Sequence, residues 1–114
     1  MNSTPRSQVK QCAEQFCAEI GMQIPKIVFT PSKRYLGMAR TYHRAIHISG
    51  SALNEISMYD MLETVQHELI HLKTRKHGHG APFQNLCARY GVDARETSPV
   101  LPKCMDWAHY VRED

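Results

Sequence analysis

The sequence predicts an α+β fold, and three observations carry that expectation. Apolar residues recur at three- and four-residue steps in separate stretches, as on packed helices. Short β-branched runs lie between the first of these stretches and the second, and Gly or Pro closes most segments. A chain of 114 residues with 42% apolar content suffices for one packed core and not for two, so residues 1–114 are expected to form a single domain.

Thr4 followed by Pro5 opens a helix, Val9, Cys12, Ala13, Phe16, Cys17 and Ile20 line one side of it, and Gly21 closes it. Pro25 forbids its continuation, and residues 26–30, KIVFT, read as a short strand stopped by Pro31. After a loop with Lys33 and Arg34, residues 36–42 and 45–49 read as two strands joined by a tight turn near His43 and Arg44. Ile46 and Ile48 would face the core and His47 the other side, and His43 and His47 read as turn or surface residues. The strand 45–49 just precedes the next helix, so it reads either as the rim of a cleft, offering an edge to an extended peptide, or as an ordinary half-exposed edge strand.

That next helix is the centre of the chain. Ser57 with Asp60 three residues later signals its start, and Met58, Met61, Leu62, Val65, Leu69 and Leu72 follow at helical spacing. They leave Glu63, Thr64, His67, Glu68 and His71 on the other faces. An end near residues 76–78 is expected, where Lys73, Arg75 and Lys76 suit the negative end of the helix dipole. Residues 82–90 read as a short helix with Phe83, Leu86, Cys87 and Tyr90 inward and Gly91 as its stop. The following segment is turn-rich, with Pro99 and Pro102 excluding a long helix. Residues 104–111 would add a last helix in which Trp107 and Tyr110 anchor the terminus, with His109 and Tyr110 near enough in sequence to be watched as oxyanion donors.

A net charge of +3 permits an anionic partner without demanding one. The first ten residues hold no apolar run, and no stretch reaches membrane-spanning length, so a soluble, cytoplasmic, monomeric protein with no membrane partner is expected. Cys12, Cys17, Cys87 and Cys104 form no CxxC pair and read as reduced core residues.

The chemistry concentrates in His67-Glu68-Leu69-Ile70-His71. Residues four apart on a helix stand one turn above each other, so two imidazoles can grip one ion. Glu68 lies about 100° round from His67, beside the ion without binding it, where a general base must stand to take a proton from water. With seven His and seven Glu in 114 residues, shuffling yields HExxH only about 0.025 times per chain. For a third ligand, His79 is favoured because a helix stopping at Gly78 lets the next residue swing back toward the ion. His77 would need a reversal one turn earlier, where the sequence offers Thr74 and no glycine.

HELIHL followed by Gly78-His79-Gly80-Ala81-Pro82-Phe83 resembles the SprT-like zinc metalloproteases, the group that includes Spartan, whose pattern is HExxH and later HGxxF. The resemblance covers roughly residues 36–90. It implies His67, His71 and His79 as ligands of one Zn²⁺, Glu68 as catalytic base, and Phe83 as a packing residue behind the third ligand. It also implies a minimal zincin-like fold, with helices packed on a small three-stranded sheet and HExxH on the central helix. The gap from His71 to His79 is shorter than is usual in that family, and with His77 the spacing HExxHxxxxxH resembles that of metzincins. No cysteine-rich zinc ribbon follows. The activity implied is zinc-dependent hydrolysis of protein or peptide substrates, with DNA or a DNA-bound protein as a further candidate partner. A zinc-containing protein- or DNA-binding module without catalysis is the alternative.

Overall fold

The computed structural model describes residues 4–31, 35–74, 80–92 and 94. Helix α1 (Pro5–Ile20) begins where Thr4 Oγ1 accepts the Ser7 backbone N–H at 3.1 Å, with Pro5 in the first turn, where no donor is needed. It ends at Gly21, whose φ of 75° lies in the left-handed region and whose N–H donates to the Cys17 carbonyl. Val9, Ala13, Phe16, Cys17 and Ile20 form its buried stripe, with Cys12 half-buried at the border. Burial raises the pKa of both the Cys12 and the Cys17 thiol, and Cys12, Cys17 and Cys87 form no disulfide among the described residues.

Among the described residues the sheet has three strands, β1 (Lys26–Thr30), β2 (Gly37–Arg40) and β3 (Ala45–Ser49), in the order β1-β3-β2. Strand β1 runs parallel to β3 and β2 antiparallel to it. The turn from β2 to β3 places Arg44 at φ 50°, and its guanidinium donates to the Gln23 carbonyl at 2.9 Å. The expected rim role of residues 45–49 is corrected: β3 is the central strand, hydrogen-bonded along both edges, and β1 and β2 are the outer ones. Alternation in each strand is local, whereas strand order depends on which edges meet in three dimensions, and β1 takes the edge of β3 that β2 leaves.

The register puts Ile27, Phe29, Gly37, Ala39, Ile46 and Ile48 on one face, toward the helices, and Val28, Met38 and His47 on the other. A short 3₁₀ turn (Ala52–Asn54) leads to α2 (Met58–Thr74). At its start the Asp60 N–H donates to Ser57 Oγ at 3.2 Å, while that hydroxyl donates to the Asp60 carboxylate at 2.7 Å. Helix α3 (Ala81–Tyr90) carries Pro82 in its first turn and stops at Gly91. Lys73 Nζ donates to the Gly21 carbonyl at 3.2 Å, joining the last turn of α2 to the end of α1. The rings of Phe16 and Tyr90 meet edge to face with centroids 5.5 Å apart, joining α1 to α3.

One expectation about α2 changes in kind. Its apolar face is buried, but so is the face beside it: Thr64, His67, Glu68 and His71 are buried along with Met61, Val65, Leu69, Ile70 and Leu72. Strand β2 and Phe83 of α3 cover what a two-layer reading leaves to solvent. The expected end of α2 near residues 76–78, the loop with Lys33 and Arg34, and the last helix with Cys104, Trp107, His109 and Tyr110 lie outside the described residues.

Candidate metal centre and active site

A run of 17 residues in one helix places His67 and His71 one turn apart, and their ring centroids are 5.0 Å apart with planes at 67°. Phe83 fixes both rings from α3: it stacks on His71 at 4.1 Å and 23°, and meets His67 edge on at 4.9 Å. The local reason is Pro82, which opens α3 and brings Phe83 into its first turn. Phe83, which the resemblance places behind the third ligand, lies directly against His67 and His71.

Glu68 is fully buried, as are His67 and His71. Burial pushes its carboxyl well above the ordinary carboxylate value of 4.5, because the charged form loses its water, and the Ala39 backbone acts in the opposite sense. The direction of that second effect follows from the sheet. Leu36 accepts the Ser49 N–H at 2.8 Å, so Leu36 faces β3, and by alternation Gly37 and Ala39 turn their N–H and C=O groups outward. The Ala39 N–H therefore lies toward Glu68 and favours its charge, although neither carboxylate oxygen completes a hydrogen bond among the described residues.

Does this set suit a metal ion? The Nε2 atoms of His67 and His71 are buried and likewise complete no hydrogen bond among the described residues, although both rings have other contacts. Imidazole nitrogens held in a dry pocket are what Zn²⁺ accepts, so the donors fit. Among the described residues no third His, Cys, Asp or Glu joins them. His77 and His79 lie outside the described residues. His43 occupies the turn and His47 the opposite face of the sheet, so neither belongs to this cluster.

Sequence reasoning missed Gly37 and Ala39. They are the two residues of β2 that face α2, and Gly37 lies so close to Thr64 and Glu68 that any side chain there would have to displace them. A glycine opening a strand was the available signal, since such a glycine often marks a close backbone approach.

The structure is similar to two solved metallopeptidase zymogens. For jannalysin of Methanocaldococcus jannaschii the TM-score is 0.65, with 18% identity over 72% of this chain and 80% of that one. For abylysin of Pyrococcus abyssi it is 0.60, with 24% identity over 68% of this chain and 73% of that one. The architecture is therefore the zincin-like fold, with three α-helices on a small mixed three-stranded sheet among the described residues. The model of the SprT-like family matches residues 7–101, and the chain belongs to that family. No curated protein sequence matches significantly. No helix among the described residues is long and apolar enough to cross a membrane.

Proposed function

We propose that the chain is a zinc-dependent metallopeptidase of the HExxH type that hydrolyses peptide bonds in protein substrates, with His67, His71 and His79 holding one Zn²⁺ and Glu68 as general base. The observation that carries this reading is a glutamate with no solvent exposure, within one helical turn of two imidazoles and against strand β2. Membership of the SprT-like family and the fold shared with two metallopeptidase zymogens support it.

When bound, the ion supplies a positive charge that polarises a carbonyl oxygen and lowers the pKa of water toward about 7. His67 and His71 contribute neutral nitrogens, which leave that charge undiminished. Glu68 accepts the proton of the attacking water at a carboxylate oxygen and passes it to the leaving amine. In the metal-free chain burial raises its proton affinity, because desolvation favours the protonated form. Phe83 holds the imidazole planes and excludes water from their flank. An extended peptide would add at an outer strand of the sheet, a role β3 cannot take because it is hydrogen-bonded along both edges.

A binding module with a structural metal explains less. It has no use for a carboxylate buried beside the ligands, which only adds a desolvation penalty. The test is hydrolysis of an unfolded protein such as casein by the zinc-reconstituted chain and its Glu68→Gln variant. The variant should keep its zinc and lose about 10²–10⁴-fold in turnover. Undiminished turnover would remove Glu68 from its role.

A further inference from the structure

Two residues of β2 face α2, and they are the smallest in the alphabet: Gly37 and Ala39. An added Cβ at Gly37 would stand 2.8 Å from Thr64 Cγ2 and 3.1 Å from Glu68 Cγ, while Ile48 Cδ1 at 3.5 Å is in ordinary contact. Thr64 and Glu68 are four apart on α2, so both present the same face to the strand. Thr64 has little room to yield: it is buried, branched at Cβ, and its hydroxyl donates to the Asp60 carbonyl at 3.0 Å. Glu68 is enclosed on all sides. The backbone of Gly37 does not adopt a positive φ, so glycine is not required there by conformation. Space is the requirement.

We infer that Gly37 is a positioning residue for Glu68: the missing side chain lets α2 close on β2 until the Glu68 stem rests against the strand, which sets where its carboxylate stands. This rests on the reading of Glu68 as general base for its catalytic consequence, but the contact itself does not depend on that reading. An alanine at position 37 displaces the Glu68 stem by a few tenths of an ångström and carries the carboxylate with it. Since the reaction depends on near-contact geometry, where about 1 Å of misplacement costs on the order of 10²-fold, a smaller shift should cost about tenfold.

The test separates placement of Glu68 from mere helix packing. Thr64→Ser deletes the Cγ2 that lies nearest to the added Cβ and keeps the hydroxyl bonded to Asp60, while leaving the Glu68 contact in place. Gly37→Ala alone should lower the melting temperature by roughly 5–15 °C through overpacking. Gly37→Ala with Thr64→Ser should recover most of that loss, yet keep kcat about tenfold below wild type with KM within about twofold. A double variant that regains full kcat makes Gly37 a packing residue only. The second readout needs neither metal nor activity. In the metal-free chain, the loss of melting temperature caused by Gly37→Ala should shrink in a Glu68→Ala background, which lacks Cγ, and persist in a Glu68→Gln background, which retains it. Equal losses in all three backgrounds would overturn the inference. If wild type shows no peptidase activity, the proposed reaction falls, and this cycle still decides the contact between positions 37 and 68.

Discussion

Helices α1 and α2 are of similar length, 16 and 17 residues, and both are amphipathic by sequence, yet they bury different things. Helix α1 hides only Val9, Ala13, Phe16, Cys17 and Ile20, and its polar residues stay at the surface. Helix α2 hides its apolar side and, beside it, Thr64, His67, Glu68 and His71. Burying a carboxyl against its preference for water costs stability that packing alone never recovers. The difference teaches that α1 serves the core alone, whereas α2 also carries a buried polar motif walled in by β2 and α3, as the proposed reaction requires.

The comparison is broken most strongly at Phe83. Replacing it with Ala removes the ring stacked on His71 and should destabilise the chain by about 3–5 kcal/mol, measured by denaturant unfolding. The zinc affinity should fall as well, whereas Phe16→Ala in α1 should reduce stability by a similar amount and leave zinc affinity per folded molecule unchanged. Equal effects on zinc from both changes would erase the distinction between the two helices.

A second contrast is in pH. The folded chain holds the Glu68 proton more tightly than the unfolded chain, whose value is the ordinary 4.5. In the metal-free protein the contribution is therefore fully present below about pH 4.5 and is lost as pH rises through the elevated folded value. Glu68→Gln removes this titration, so the variant should gain on wild type in unfolding midpoint as pH is raised from 4 to 8. No pH-dependent divergence between the two curves would mean that Glu68 is solvated. The smallest effect belongs to α1: Thr4→Ala deletes the cap on Ser7 and should cost about 1 kcal/mol with kcat unchanged.

Much of this architecture was legible locally. Thr4, Pro5 and Gly21 bound α1 as capping rules require, Ser57 and Asp60 open α2, and Ile46 and Ile48 point inward with His47 opposite. The motif itself announced that His67 and His71 stand together, since a four-residue step is a property of any helix. What sequence pattern did not disclose was tertiary. Nothing within residues 45–49 says that a parallel strand lies on one side and an antiparallel strand on the other. Nor does the periodicity of α2 say that a second surface will cover His67 and Glu68, because that cover comes from Phe83 and Gly37, each distant in the chain. The placement of His79 and His77 lies outside the described residues.

The most direct measurement is zinc uptake by the chelator-stripped chain, followed by equilibrium dialysis. Wild type and Glu68→Gln should each take up one zinc per chain, and His67→Ala and His71→Ala should take up none at the same free concentration. A wild-type chain that stays empty, or histidine variants that fill as readily as wild type, would contradict the account.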